Sequence, residues 1–432
     1  MNPRQRIALI SEHASPLATP GGVDSGGQNV YVAQLARHLA ARGREVDVFT
    51  RRDRPDLPEV APQARGYRVI HVPAGPPAPV RKEELLPFMG EFAAWTTRFA
   101  RRRPYDVAHA NFFMSTLVGV ALKRATGTPL VVTFHALGRV RLLHQAGADA
   151  FPPERLAIED RAVADADRII AECPQDVADL VAHYDADPAR LATIPCGYDP
   201  AEFAPLPRAA ARARLGLPTD GPVLLQLGRM VPRKGVDNVI QALARLRRDH
   251  GVAARLLVVG GDSPTPDPAL TPEIGRLQAL AHAEGVADQV DFIGARGRDA
   301  LRPYYAAADV FVTTPWYEPF GITPVEAMAC GTPVVGSAVG GIKDTVVDGV
   351  TGHLVPPRDP IALADRLAAM LADPGRLREL GRQARRRARE RYTWAAIARR
   401  IAAVYDEVAP GWGDPEDPAG AIVATAGDWV AP

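Results

Sequence analysis

Residues 223–247, VLLQLGRMVPRKGVDNVIQALARLR, contain a strand, a loop and a helix in immediate succession. The first five are apolar except for one Gln, which is typical of a strand buried on both faces of a sheet. Residues 228–235 carry two glycines and a proline, which are loop signals. Apolar residues then recur at helical spacing from 236 to 247, which predicts an amphipathic helix.

The same succession recurs along the chain. A strand is predicted at 7–10 and a helix at 28–42, and strands and helices alternate in both halves. The remaining strands are predicted at 45–50, 68–72, 107–110, 129–133, 168–171, 191–194, 255–259, 290–293, 310–313 and 333–336. This alternation predicts an α/β fold with two facing, doubly wound, Rossmann-like domains. Ligands of such sheets bind outside the carboxyl ends of the strands, so we expect the active site in the interdomain cleft.

The length of 432 residues suits two domains of roughly 200 residues each. Prolines are frequent in residues 198–222, which separate the two series of strands. We predict an N-terminal domain over 1–205 and a C-terminal domain over 206–392. A helix over 393–408 is expected to cross back to the N-terminal domain, and residues 409–432 to form a loose tail.

Charge and hydropathy exclude several classes of protein. Lys and Arg total 51 against 50 Asp and Glu, so there is no electrostatic basis for binding nucleic acid or an anionic membrane. No apolar stretch approaches the roughly 20 residues of a membrane span, and no signal peptide is recognised. Three widely spaced cysteines exclude a disulfide framework and a zinc knuckle. We expect a cytoplasmic protein whose oligomeric state stays open, a homodimer included.

Two cations flank the loop of the opening segment: Arg229 follows the strand and Lys234 precedes the helix. A cation at each end of a short loop can hold the two phosphates of a diphosphate. The alternative is an ordinary solvated basic loop. The position at the carboxyl end of a strand favours the binding site.

Glu318 and Glu326 are separated by seven residues. Residues 323–326, TPVE, have the pattern of a helix start, so Glu326 could simply complete a capping box. Alternatively, this helix N-terminus faces a phosphate, Glu326 accepts hydrogen bonds from ribose hydroxyls and Glu318 reaches a sugar.

A glycine-rich loop, PGGVDSGGQ, occupies residues 20–28 between the first strand and the first helix. Its second glycine pair, Gly26 and Gly27, allows close approach of the backbone to a ligand, and N–H groups there can face an anion. A flexible surface loop is the alternative.

His135 follows another strand and is succeeded by Arg139 and Arg141. Two arginines two residues apart in a loop can converge on one phosphate, whereas on a helix they would diverge. The alternative is that they pair with nearby acids such as Glu154 or Asp160.

Taken in order along the chain, these four segments resemble the retaining GT-B glycosyltransferases of family four. The resemblance covers residues 5–408. Residues 15–31, SPLATPGGVDSGGQNVY, are most similar to the branch of sucrose-phosphate synthases, mannosylfructose-phosphate synthases and D-inositol-3-phosphate glycosyltransferases.

The resemblance implies transfer of a hexose from a nucleotide-diphosphate sugar, of the UDP-glucose type, with retention of anomeric configuration. The implied catalytic residues are His135, Arg229, Lys234 and Glu318, and the implied donor-binding residues are Gly26, Gly27, Phe320, Gly321, Ile322 and Glu326. No metal or other cofactor is implied, since cations and helix dipoles stabilise the leaving group.

The implied acceptor is a small sugar phosphate or polyol phosphate bound by the N-terminal domain, with Arg139 and Arg141 as the expected phosphate contacts. The inositol-phosphate enzymes tend to have Tyr and Thr where this chain has Phe112 and Ala136. Both differences remove hydroxyls that could hold an acceptor phosphate.

Other functions stay open. They are a GT-B nucleotide-sugar epimerase, a transferase acting on an unphosphorylated or lipid-linked acceptor, and a non-catalytic sugar-nucleotide sensor. An NAD-dependent dehydrogenase is disfavoured, because neither glycine-rich loop has the G-x-G-x-x-G pattern.

Overall fold

The computed structural model describes residues 4–18, 26–63, 66–145 and 150–412, and it divides into two compact units. The first unit holds the described residues up to 196 together with 394–412. The second unit is Gly197–Thr393.

The described part of the first unit is an eight-stranded sheet with helices. Its strands are β1 (Arg6–Ile10), β2 (Glu45–Arg51), β3 (Val60–Pro62), β4 (Arg68–Val72), β5 (Val107–Asn111), β6 (Leu130–Thr133), β7 (Arg168–Ala171) and β8 (Leu191–Thr193). Its α-helices are α1 (Gly27–Ala41), α2 (Met89–Arg102), α3 (Phe113–Thr126), α4 (Gly138–Gln145), α5 (Glu154–Asp165), α6 (Pro174–Tyr184) and, at the end of the chain, α15 (Trp394–Val408).

The strand order of this sheet is β3-β4-β2-β1-β5-β6-β7-β8, and all pairs are parallel except β3 with β4. Strand β1 lies between β2 and β5, so its carboxyl end is a topological switch point where a ligand crevice opens. The side-chain amide of Gln28 donates to Ser11 Oγ at 3.3 Å and to the carbonyl of Asn111 at 3.2 Å. These bonds hold the start of α1 beside the switch point.

Helix α15 packs against α1 in the same unit. The rings of Tyr31 and Trp394 meet edge to face at 5.6 Å, and the guanidinium of Arg44 binds the carboxylate of Asp406 at 2.7 Å. The hydroxyl of Tyr405 lies 2.6 Å from Nδ1 of His109. Burial lowers the pKa of His109 to about 3, so its imidazole is neutral at physiological pH.

The second unit is built on a six-stranded parallel sheet of order β11-β10-β9-β12-β13-β14. Its strands are β9 (Val223–Leu227), β10 (Arg255–Val259), β11 (Val290–Gly294), β12 (Val310–Thr313), β13 (Val334–Ser337) and β14 (Gly352–Val355). Its α-helices are α7 (Arg208–Arg214), α8 (Val236–His250), α9 (Pro272–Ala283), α10 (Arg298–Ala307), α11 (Ile322–Ala329), α12 (Ile342–Thr345), α13 (Pro360–Leu371) and α14 (Pro374–Arg391).

Strand β9 lies between β10 and β12, which makes its carboxyl end the switch point of the second sheet. The apolar stripe of α8, with Val239, Leu243 and Leu246, is fully buried against the sheet. Two doubly wound α/β units confirm the predicted fold class. No helix among the described residues is long and apolar enough to cross a bilayer.

Candidate active site

The loop after β9 is locked to the loop after β12. It forms a 3-10 turn, Pro232–Lys234, and ends at Gly235, whose φ is 66°. A Cβ at Gly235 would lie 2.0 Å from the carbonyl oxygen of Thr314, the residue that follows β12. The hydroxyl of Thr314 also donates to the carbonyl of Gly235 at 2.9 Å. Glycine is therefore required at 235 by both the φ angle and the close approach.

Two cations of this loop lie beside one carboxylate, and a third cation lies in the same loop. Lys234 forms an ion pair with Glu318, and Nη1 of Arg233 lies 3.5 Å from the same carboxylate. Arg233 also donates to the carbonyl of Tyr317 at 3.0 Å. Arg229 is exposed and close enough to lower the pKa of Lys234. The excess of positive charge suits a diphosphate.

Burial and neighbouring charges act in opposite directions on the Lys234–Glu318 pair. Burial lowers the pKa of Lys234, while Glu318 opposes that change. Burial would raise the pKa of Glu318, but Lys234 and Arg233 outweigh it and the pKa lies below its ordinary value. Glu318 is therefore ionised at neutral pH and neutralises one of the cations.

The capping-box alternative for Glu326 is wrong. Helix α11 begins at Ile322, after Gly321 with a φ of 90°, so Thr323 lies inside the helix instead of capping it. The Glu326 carboxylate instead accepts from Nη1 of Arg298 at 2.8 Å and from the hydroxyl of Tyr305 at 2.8 Å. The side chain of Glu326 is 2% exposed.

Two glycines support the loop that carries Glu318 and Phe320. A Cβ at Gly340 would lie 1.8 Å from the carbonyl oxygen of Glu318, and a Cβ at Gly341 would lie 2.7 Å from Cα of Phe320. The backbone N–H of Gly341 donates to the carbonyl of Pro319 at 2.9 Å. Any side chain at 340 or 341 would therefore clash with the backbone of this loop.

In the first unit, His135 follows β6 with a φ of 58°. Its Nδ1 lies 3.0 Å from Glu172 Oε1, and its Nε2 lies 3.1 Å from Asn111 Oδ1. The amide nitrogen of Asn111 donates to the carbonyl of His109 at 3.2 Å, which turns its oxygen toward His135. The rings of His135 and Tyr31 also meet edge to face, with their centroids 4.8 Å apart. Both ring nitrogens of His135 therefore have partners within this unit.

Gly26 and Gly27 lie at the start of α1. Gly26 precedes the helix with an extended backbone, and its N–H donates to Asn29 Oδ1 at 2.9 Å. Gly27 is the first helical residue. Residues 20–25 of the glycine-rich loop lie outside the described residues.

The expectation that Arg139 and Arg141 converge from a loop is wrong. Both lie on α4, where residues two apart point roughly 200° from each other. Asp160 binds both terminal nitrogens of Arg139, at 2.5 and 2.9 Å, and the guanidinium stacks on Tyr184. Arg139 thus makes the acid pairing that the sequence left as the alternative.

A third arginine, Arg155, adjoins the two positions where this chain differs from the inositol-phosphate enzymes. Its Nη2 donates to the carbonyl of Ala136 at 2.5 Å, its Nε donates to Glu159 at 2.7 Å, and its guanidinium lies 5.1 Å from the ring of Phe112. The φ of Phe112 is 81°, which is strained for an aromatic residue. Position 112 therefore presents an aromatic face to a buried guanidinium.

Four residues that form hydrogen bonds to the candidate site residues were not predicted from the sequence. Asn111 ends β5, and Glu172 directly follows β7. Both could have been predicted from the sequence, because polar side chains at the carboxyl ends of parallel strands mark a site. Arg298 and Tyr305 lie on α10 and had no such signal. No group of His, Cys, Asp and Glu that could hold a metal ion occurs among the residues that the structure describes.

Two family models match the chain. Glycosyltransferase Family 4 matches residues 25–202, and Glycosyl transferases group 1 matches residues 207–387. The chain is 40% identical over 408 residues to a D-inositol 3-phosphate glycosyltransferase of Actinosynnema mirum, covering 93% of this chain and 97% of the relative. It is 42% identical over 410 residues to a relative of the same name, numbered 1, from Catenulispora acidiphila, covering 94% and 96%.

Solved structures agree with these matches. The sucrose-phosphate synthase of Thermosynechococcus elongatus superposes with a TM-score of 0.86 at 37% identity, covering 94% of this chain and 99% of that one. HepE of Anabaena, solved in complex with UDP-glucose, has the same fold, with a TM-score of 0.73 at 22% identity, covering 94% and 100%.

Two doubly wound α/β units and these matches define the class: the chain is a glycosyltransferase with the GT-B fold. It belongs to glycosyltransferase family four, in the branch of the D-inositol-3-phosphate glycosyltransferases and sucrose-phosphate synthase.

Proposed function

We propose that this enzyme transfers a hexose, with retention of configuration, from a nucleotide-diphosphate sugar of the UDP-glucose type to a small sugar phosphate or polyol phosphate in the cytoplasm. The observation that supports the proposed donor is the pairing of Arg233 and Lys234 with Glu318 at the switch point of the second sheet, with Arg229 in the same loop close enough to act on Lys234. A diphosphate replaces the single carboxylate with a ligand of higher negative charge. It would free Glu318 to accept hydrogen bonds from donor-sugar hydroxyls.

The remaining donor roles follow the family pattern. Lys234 and Arg229 stabilise the charge that develops on the leaving diphosphate, and N–H groups near Phe320, Gly321 and Ile322 assist. Glu326 accepts from the ribose. A phosphate oxygen takes the acceptor proton as the new bond forms on the same face of the sugar.

On the side of the first unit, Gly26 and Gly27 line the diphosphate, and His135 contacts the donor sugar near the reacting carbon. The contacts of His135 with Glu172 and Asn111 fix its ring and the strained backbone around it. That strain supports a functional role, because left-handed backbone at a non-glycine residue concentrates at active sites.

The phosphorylated acceptor is supported by the names of the relatives. Arg139 offers little support, because Asp160 occupies its guanidinium, while Arg141 remains a candidate contact. An unphosphorylated acceptor is the second candidate, favoured by the phenyl and methyl groups at Phe112 and Ala136 where the inositol-phosphate enzymes tend to have hydroxyls.

The test is nucleotide release from a panel of nucleotide sugars, each offered with D-inositol 3-phosphate, a hexose phosphate and their unphosphorylated forms. We expect turnover with a UDP-hexose and a phosphorylated acceptor, with an α-linked product from an α-linked donor. Turnover without any acceptor would favour an epimerase or hydrolase. Preference for an unphosphorylated acceptor would overturn the proposed acceptor and leave the proposed donor unaffected.

A further inference from the structure

The Glu326 carboxylate is held at both oxygens by one residue pair on α10. Oε1 accepts from Nη1 of Arg298 at 2.8 Å, and Oε2 accepts from the hydroxyl of Tyr305 at 2.8 Å. Two donors on two different oxygens fix both the position and the plane of the carboxylate.

The two donors are themselves fixed. Nε and Nη2 of Arg298 bind Glu202 Oε2 at 3.1 and 2.9 Å, and the guanidinium lies 5.0 Å from the ring of Phe203. Tyr305 is fully buried, and its ring meets Phe203 at 5.7 Å and Phe311 at 5.6 Å, both edge to face. Arg298 and Tyr305, the clamp on Glu326, are therefore each held in place by their neighbours.

Arg298 and Tyr305 both remain protonated at neutral pH and can therefore donate hydrogen bonds. Burial and then the charge of Glu326 raise the pKa of Tyr305 well above its ordinary value. Burial would lower the pKa of Arg298, but Glu326 and Glu202 outweigh it and the pKa is raised. A protonated phenol and a guanidinium thus face the carboxylate over the whole physiological range.

A carboxylate has about four lone-pair positions, two on each oxygen. Arg298 and Tyr305 occupy one lone-pair position on each oxygen, and one position on each oxygen remains for a further donor. Two vicinal hydroxyls of a ribose need two acceptors side by side, which is what remains. Glu326 lies in the first half of α11, the helix that follows the loop of Glu318 and Phe320.

We propose that Arg298 and Tyr305 are positioning residues for the donor nucleotide: they hold Glu326 in the orientation in which it recognises ribose and discriminates against deoxyribose. This inference rests on the proposed function, because it takes Glu326 as the ribose contact. The competing explanation is a purely structural ion pair, since a buried carboxylate needs partners in any case.

The experiment uses Tyr305→Phe, which removes one hydroxyl and keeps the ring. Tyr304→Phe is the matched control, because Tyr304 is the next residue on α10 and its hydroxyl contacts Arg296 at 3.2 Å. Binding of UDP and of 2′-deoxyuridine diphosphate is measured by calorimetry for wild type and both variants, with melting temperatures recorded in parallel.

We expect wild type and Tyr304→Phe to prefer UDP over the deoxy analogue. In Tyr305→Phe the affinity for UDP should fall roughly three- to tenfold while that for the deoxy analogue changes little, which lowers the preference. With a UDP-hexose donor, KM should rise with kcat nearly unchanged. Arg298→Lys, which keeps the charge and loses the planar fork, should act in the same direction and serves if the first variant does not fold.

Equal weakening of both nucleotides by Tyr305→Phe would mean a structural role and overturn the inference alone. A wild-type protein with no preference for UDP over the deoxy analogue would overturn the ribose role of Glu326, and the inference would fail with it. A wild-type protein that binds neither nucleotide would overturn the proposed donor.

Discussion

Lys234 and Glu318 form an ion pair with each other, and the proposed function gives each of them a second partner. Each of the two side chains compensates the charge of the other. A diphosphate would compete for Lys234, and a sugar hydroxyl would compete for Glu318. Because both side chains are largely buried, their interactions are stronger than those of surface ion pairs.

Replacing Lys234 by Ala should therefore lower kcat/KM by about 10²-fold or more, since the charge of the leaving group develops there. Arg229→Ala should act in the same direction. Initial rates of nucleotide release at varied donor concentration measure both.

Arg248→Ala is the matched control for these charge deletions. Arg248 lies near the other end of α8, is exposed and pairs with its neighbour Asp249. Its removal should leave the rate unchanged. Near-normal turnover of both Lys234→Ala and Arg229→Ala would reduce this loop to an ordinary solvated basic segment.

Helix α8 is bounded by two glycines with nearly the same backbone conformation. Gly235 before it has a φ of 66°, and Gly251 after it has a φ of 67°. Their surroundings differ, because a Cβ at Gly251 would meet nothing within 4 Å, whereas one at Gly235 would meet Thr314 O at 2.0 Å. Substitutions at these two glycines therefore separate two contributions to the free energy of unfolding. One is the strain of left-handed backbone, and the other is the loss of contact between the two loops.

Gly251→Ala should cost about 1–2 kcal/mol of unfolding free energy, from left-handed strain alone. Gly235→Ala adds a backbone clash and should cost about 2–5 kcal/mol. It should also lower kcat/KM, because the clash displaces the neighbouring Lys234. Urea unfolding and initial rates measure the two effects. Equal losses of stability and unchanged activity in both variants would contradict the locking of the loops.

At the scale of the whole molecule, a net charge of +1 gives no general attraction for anions. The protein instead concentrates Arg229, Arg233 and Lys234 in one loop at a switch point, where Arg233 and Lys234 pair with Glu318. In the proposed function these fixed cations would take the role that a divalent metal plays in other diphosphate sites.

Activity should consequently survive millimolar EDTA with kcat/KM essentially unchanged. Rates are compared before chelation, after chelation and after addition of Mg²⁺ or Mn²⁺. Abolition by EDTA with recovery on adding Mn²⁺ would show that the three cations do not suffice for leaving-group stabilisation.

Much of the fold was predictable because its signals are local. Buried strands such as β9 and β12 are short apolar runs, and the stripe of α8 repeats within a few residues, so burial can be inferred without knowing the partner. Strands β3 and β14 escaped prediction. The first contains a proline and the second a glycine and a histidine, and both lie at sheet edges where pairing depends on a neighbour.

The sequence by itself determined the α/β class, the glycosyltransferase family and the strand ends near which most candidate site residues lie, because strand–loop–helix order and motif spacing are encoded along the chain. Only the tertiary structure decided which charges meet. It pairs Arg139 with Asp160, Lys234 with Glu318, and Glu326 with Arg298 and Tyr305. The partners lie 21 to 84 residues apart. A buried charge such as Glu326 must be neutralised by whatever the topology brings beside it, and the exposed Arg139–Asp160 pair likewise depends on which helices lie together. No local pattern records these neighbours.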